Sequence, residues 1–233
     1  PIIPGHEWSG TIVQVGENVQ DFHVGDRITS DVSLGCGKCG ECRRGHYNLC
    51  PNREVIGSYR NRQGVFAQYV AVPQRHIYKI PDNLGMEEAA LAEPAATAAY
   101  AVTKARIPAG AEVLVIGDGP IGQLAAQLAN IEGAGRVIVA GSWDEKLAVA
   151  RSCGAAETIN YHREDVAQRV KELTNGGPEI IIETSGSSNA LSSAVQALKP
   201  AGRIAAVSWY SGQSVNIPMN TLIAKDAELI GSL

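Results

Sequence analysis

No basic block, and no basic patch interleaved with aromatics, runs through this 233-residue chain, whose 20 Lys and Arg against 24 Asp and Glu leave a net charge of −4. The phosphate-neutralising stripe on which nucleic-acid binding depends is therefore missing. Long hydrophobic runs are missing too. The longest, such as Val113 to Ile116 and Ile180 to Ile182, have the length of strands and cannot span a bilayer. No signal peptide is visible, so a cytoplasmic location is expected. The chain opens on Pro1 and stops inside the strand-like run Glu228-Leu-Ile-Gly-Ser-Leu233, which leads us to expect an internal fragment of a longer protein. Cysteine is scarce and unevenly placed: of five, four cluster between Cys36 and Cys50 and Cys153 stands alone. An odd number without a signal peptide favours a reducing compartment and metal-held thiolates over disulfides, which remain the blander alternative.

The cluster has the spacing C-x2-C-x2-C-x7-C over Cys36, Cys39, Cys42 and Cys50, in a segment almost devoid of apolar residues. Such a lobe cannot bury enough surface to offset its chain entropy and needs a staple. Four thiolates around a tetrahedral zinc would supply one, and would leave that ion no open position.

Two grammars divide the rest. Up to residue 106 the chain is rich in Gly, Pro and short extended runs, and Gly10–Val15, Arg27–Val32, Val65–Val72 and His76–Ile80 read as strands. Asp82 to Lys104 is Ala-rich, with Pro94 suited to the first turn of a helix. Residues 107–233 alternate regularly. Strands are expected at Val113–Ile116, Arg136–Ala140, Glu157–Asn160, Glu179–Glu183, Arg203–Ser208 and Glu228–Ile230, separated by helical patterns that include Arg163–Thr174. Six strands with crossover helices predict an α/β fold with a doubly wound parallel sheet.

Gly117-Asp-Gly119-Pro120-Ile121-Gly122 follows the first of those strands and opens a helix. Gly117 permits the tight turn, Gly119 a close approach of backbone to pyrophosphate, and Gly122 tight packing of helix on strand. The phosphates would lie at the helix N-terminus. An acidic residue is expected about twenty positions on, to bond the adenosine ribose. Gly141-Ser142-Trp143 stands there instead. Loss of that carboxylate favours NADP over NAD, with Ser142, Lys146 and Tyr161 as contributors to a phosphate site.

His6, in Gly5-His6-Glu7, and Glu93, alone in the small-residue run Ala89-Ala-Leu-Ala-Glu93-Pro94, are the other candidates. A lone His is more often a surface residue than a ligand, and a carboxylate at a helix start is favoured by the dipole. Both also suit a catalytic zinc with three protein ligands and an open position. His23, His46, His76 and His162 read as solvated, Asp26 as a turn residue and Cys153 as packing at a helix end, while Ser58 and Tyr59 are placed to line a cleft.

Taken together, Gly-His-Glu, the four-cysteine lobe, Gly64-Val-Phe-Ala-Gln-Tyr-Val70, Glu93-Pro94 and the glycine turn resemble, in order and over essentially the whole chain, the zinc-dependent medium-chain alcohol dehydrogenases. Glu93-Pro94 is similar to the sorbitol, threonine and sugar-alcohol-phosphate dehydrogenase branch. The resemblance implies a partial GroES-like catalytic domain over 1–106, with a zinc lobe over 36–50, and a Rossmann domain over 107–233. It implies that His6, Glu7 and Glu93 form a catalytic zinc site and that Cys36, Cys39, Cys42 and Cys50 hold a structural zinc. It further implies that Gly117, Gly119, Pro120, Ile121, Gly122, Gly141, Ser142 and Lys146 meet NADP or NAD. The family's first catalytic ligand is a Cys upstream of Gly-His-Glu, so the metal site of a fragment is expected to be incomplete, which leaves the fragment's own activity open. The implied reaction is hydride transfer between a secondary alcohol, such as a polyol, and NAD(P), by a homodimer or homotetramer. A zinc-free quinone reductase on the same scaffold and a non-enzymatic zinc-ribbon sensor are the alternatives.

Overall fold

A computed structural model describes residues 2–58, 62–211 and 214–233. It separates into two compact units, Pro1–Pro94 and Ala95–Leu233.

The first unit is held by little regular structure. Strand β1 (Gly10–Thr11) pairs antiparallel with β2 (Arg27–Ser30), β3 (Ser33–Leu34) leads into the short helix α1 (Gly40–Arg43), and β4 (Glu54–Val55) returns to pair with β3. Strand β5 (Ile77–Lys79) closes a three-stranded sheet on β2, and α2 (Met86–Ala90) follows. The stretch Val65–Val72, expected as a strand, is not one. Its first N–H groups turn back to the loop before β1, Val65 to the Gly5 carbonyl at 3.1 Å and Phe66 to the Pro4 carbonyl at 3.1 Å. Likewise only Gly10–Thr11 of the expected strand Gly10–Val15 is ladder-paired. Both stretches line a cleft of about 960 Å³ and expose Val13, Phe66 and Tyr69. Alternating side chains describe an extended backbone, but a strand also needs a neighbour for its N–H and C=O groups.

Helix α3 (Ala92–Ala105) leads into the second unit, with Pro94 in its first turn, where a missing N–H costs nothing. The rest alternates: β6 (Glu112–Ile116), α4 (Pro120–Ile131), β7 (Arg136–Gly141), α5 (Asp144–Ser152), β8 (Glu157–Asn160), α6 (Val166–Leu173), β9 (Ile180–Glu183), α7 (Ser188–Ala197), β10 (Arg203–Ala206), α8 (Met219–Ala224) and β11 (Glu228–Gly231). All six strands are parallel, in the order β11-β10-β9-β6-β7-β8. Helix α6 starts later than its pattern suggested because Asp165 caps it, Oδ1 accepting from the Gln168 N–H at 2.8 Å.

The core shows why the sheet reads so clearly. Val113, Val115, Val137, Val139, Ile180 and Ile182 point to one face, under α3, α4 and α5. Leu114, Ile116, Ile138, Ile159, Ile181 and Ile204 point to the other, under α6, α7 and α8. Strands buried on both faces become continuous apolar runs with a hidden period of two. From β6 the chain steps to β7 and β8, then crosses back to β9, which pairs with β6 on its other side. That reversal leaves a crevice at the carboxyl ends of β6 and β9, the usual place for a ligand in such a sheet.

Candidate functional site

Two groups of metal-ligating side chains stand in the first unit. The Sγ atoms of Cys36, Cys39, Cys42 and Cys50 all lie within 4.8 Å of one another. Zn–S bonds of about 2.3 Å require tetrahedral sulfurs roughly 3.8 Å apart, and Cys39 and Cys50 are at 3.7 Å. All four are free thiols. Helix α1 begins inside the cluster: Cys39 is its N-cap, and its sulfur accepts from the Cys42 N–H at 3.5 Å. The Cys36 N–H is likewise turned to the Cys50 sulfur, at 3.4 Å. Backbone N–H groups of Lys38 and then Cys39 pull the Cys36 thiol down to about 6, while burial pushes Cys42 up to about 11. These donors, chemically soft and inward-facing, suit zinc.

The lobe is tied to the small sheet by a polar knot. Asp31 accepts from Tyr47 at 3.1 Å through Oδ1 and from Tyr78 at 3.1 Å through Oδ2. His76 Nδ1 lies 3.1 Å from the same Oδ2, and its Nε2 faces the Gly35 carbonyl beside Cys36 at 3.5 Å. His76 is buried, not solvated as expected, because its partners lie far away in sequence. Asp26 is a turn residue as read, its Oδ2 accepting from the His23 N–H at 2.9 Å and from Lys79 at 2.9 Å. Cys153 ends α5 but is exposed, so it is not packed there. Of the two expected cleft residues, Ser58 is exposed and Tyr59 lies outside the described residues.

The second group is His6, Glu7 and Glu93, whose ligating atoms also lie within 4.8 Å of one another. His6 and Glu93 are half-buried and Glu7 is exposed. Burial pushes the Glu93 carboxyl above the usual carboxylate range; His6 opposes that shift and Glu7 adds to it. Two carboxylates this close repel one another, and a divalent cation removes the repulsion. One imidazole and two carboxylates fit zinc and, unlike four thiolates, need not close its coordination sphere.

In the second unit the glycine run spans the end of β6 and the start of α4. Gly117 has φ +121°, and a side chain there would collide with the Thr184 hydroxyl. A Cβ on Gly122 would strike the Gly117 carbonyl oxygen. Gly119, the N-cap of α4, has no side-chain cap, and a Cβ there would point into open space. Close packing at the first and third glycines and open space at the second are what a phosphate cradle requires, and Pro120 and Ile121 are the first helical residues. Gly141 ends β7, Ser142 follows, and Lys146 lies in α5 with its carbonyl held by Gln123 Nε2 at 2.8 Å.

Sequence reasoning missed Glu183. It is fully buried at the end of β9, accepting from the Ser185 N–H at 2.7 Å and from the Ser185 and Tyr210 hydroxyls. A carboxylate closing an apolar strand was its only signal. Among the described residues no helix is long and apolar enough to cross a membrane.

Comparison with known proteins agrees with both units. The model of the alcohol dehydrogenase GroES-like domain matches residues 1–82 and that of zinc-binding dehydrogenases matches 120–233. L-threonine 3-dehydrogenase of Pyrococcus abyssi is 39% identical over 224 residues, covering 96% of this chain and 63% of its own. Sorbitol dehydrogenase of Halalkalibacterium halodurans is 36% identical, covering 100% of this chain and 68% of its own. A Sinorhizobium meliloti protein described as a zinc-binding dehydrogenase and solved with NADP superposes with a TM-score of 0.94 at 32% identity, over 100% of this chain and 69% of its own. The chain thus spans 63% of the length of the threonine dehydrogenase.

Proposed function

Because the chain belongs to the zinc-type medium-chain alcohol dehydrogenases, we propose that it is the larger part of an enzyme that moves a hydride between a secondary alcohol, a polyol or a related hydroxyl compound, and NAD(P). The observation that carries this reading is the presence of two metal-ligating groups of different chemistry in one unit, one able to close around zinc and one not. Residues 1–106 form the partial catalytic domain and residues 107–233 the dinucleotide domain. When bound, zinc supplies a Lewis acid for the alcohol oxygen and the nicotinamide supplies the hydride acceptor.

The residues divide the remaining work. His6 and Glu93 hold the catalytic ion, and Glu7 binds it or sets the charge beside it. Cys36, Cys39, Cys42 and Cys50 hold the structural ion and take no part in the chemistry. Gly119, Ile121 and Gly122 would offer backbone N–H groups to the pyrophosphate, Gly117 and Pro120 would shape the turn that presents them, and Gly141, Ser142 and Lys146 would border the adenosine ribose. The protein's share of the rate is orientation, since hydride transfer requires donor carbon and acceptor ring in contact with water excluded. The location is cytoplasmic. The assembly is a homodimer or homotetramer, for which β11, at one edge of the sheet, offers the side that does not pair with β10.

Full-length protein incubated with a panel of polyols and secondary alcohols, with each nicotinamide, should reduce the cofactor. The His6→Ala variant should lose more than the roughly 10- to 100-fold that removal of a ligand's outer partner costs. Near wild-type turnover in that variant, with its zinc retained, contradicts the assignment.

A further inference from the structure

The second strand of a dinucleotide fold normally ends in the carboxylate that reads the adenosine ribose. Here β7 ends in Gly141, followed by Ser142 and Trp143, and the sequence alone therefore points to a 2′-phosphate. The structure supplies the charge from elsewhere. Asp118, the variable residue between Gly117 and Gly119, folds its side chain over the end of β7. Its Oδ2 accepts from the Ser142 N–H at 2.8 Å, from the Trp143 N–H at 2.9 Å and from the Ser142 hydroxyl at 3.5 Å. A Cβ built on Gly141 would lie 2.5 Å from Asp118 Cβ and 2.6 Å from its Oδ2. The Asp118 side chain thus fills the volume that a residue-141 side chain would take, and only glycine fits beneath it.

Three consequences follow for a ligand. The two N–H groups and the hydroxyl that would hold a 2′-phosphate are already used by a carboxylate. Further negative charge stands in the first turn of α5, at Asp144 and Glu145, and the Arg163 guanidinium is paired with Asp144. Asp118, Asp144 and Glu145 set against Lys146 and Arg163 leave the surroundings with a net negative charge to meet a phosphate dianion. Finally, all three contacts fall on Oδ2, which leaves Oδ1 to accept from a hydroxyl.

We propose that Asp118 determines cofactor choice: its carboxylate accepts a hydrogen bond from the ribose 2′-hydroxyl of NAD and repels the 2′-phosphate of NADP, so this chain is NAD-selective. The proposal rests on the dinucleotide reading above. It reverses the preference suggested by Gly141-Ser142-Trp143 alone, because that reading counted the acid only where the chain usually places it.

Asp118 also braces the turn after β7, so a variant must separate bracing from charge. Asp118→Asn retains an acceptor for the two N–H groups and removes the charge; Asp118→Ala removes both. Dissociation constants for NAD, NADP and ADP-ribose, measured by titration calorimetry on the full-length protein with thermal melting as a control, read the result without turnover. The wild type should bind NAD at least about tenfold more tightly than NADP, as expected for like charges near one another at a half-exposed site. Asp118→Asn should cut that ratio about tenfold, chiefly through tighter NADP binding, and the gain should shrink at high salt. Equal or tighter NADP binding by the wild type overturns the proposal. So does a parallel change in both affinities that leaves their ratio unaltered, the mark of a purely structural brace. Failure of the wild type to bind NAD, NADP or ADP-ribose overturns the dinucleotide reading itself, and Asp118 with it.

Discussion

The two units solve the problem of stability in different ways. The second buries Val and Ile on both faces of a six-stranded sheet, with Val113, Leu114, Ile138 and Ile181 wholly inaccessible to water. The first has strands of two to four residues, and much of its order runs through side chains: four clustered thiols and the Asp31–Tyr47–His76–Tyr78 knot. Apolar burial is non-directional and tolerates local change. Thiolate and hydrogen-bond geometry is directional, and losing one partner leaves others buried and unsatisfied. One unit is therefore built to be stable and the other to hold donor atoms in place.

That contrast can be broken experimentally, and the largest effect lies in the lobe. Cys39→Ser, or chelation of zinc, should unfold the first unit around residues 36–50 while leaving the six-stranded sheet protected. Structural zinc contributes about 10–16 kcal/mol of apparent binding free energy in small zinc domains. Hydrogen exchange should show loss of amide protection confined to residues below 95; equal loss in β6 to β11 would refute the independence of the two units. Next comes Ile181→Ala, in the middle of β9, which should cost about 2–5 kcal/mol by transfer and cavity terms. Denaturant melting should place that loss in the second unit.

A smaller effect is expected at the knot. Asp31→Asn leaves at least one donor of Tyr47, Tyr78 or His76 poorly matched, which should cost about 1–3 kcal/mol, read as a lower melting point for the first unit alone. The smallest concerns pH. Burial first, and the Glu183 contact second, push the Tyr210 phenol above its ordinary value. A group with a raised folded pKa contributes stability that is complete below its unfolded value and is lost as pH rises past it. Stability of the second unit should therefore decline above about pH 10, the ordinary tyrosine value. Tyr210→Phe should flatten that alkaline decline, and an unchanged slope would remove Tyr210 as its source.

Legibility in the sequence followed the same division. Every strand of the second unit could be placed because local periodicity and burial agree there, and α6 started later than its pattern because Asp165 caps it. In the first unit the cysteine spacing and the odd position of Glu93 were visible because their chemistry is rare for their surroundings. The extended run Val65–Val72 misled because its alternation says nothing about whether a neighbouring strand exists to pair with it. His76 was misread, and Asp118 passed over, for a related reason. Each meets a residue distant in sequence, Asp31 and Ser142 respectively, and no local pattern records such a meeting.

The central claim is that the two metal-ligating groups do different jobs. Zinc content measured alongside turnover and melting temperature, for full-length protein and its His6→Ala variant, tests it directly. Two zinc ions per wild-type subunit, one in the variant, an unchanged melting point and abolished turnover are the predicted result. A variant that keeps both ions and its turnover, or that loses its fold together with its zinc, would contradict it.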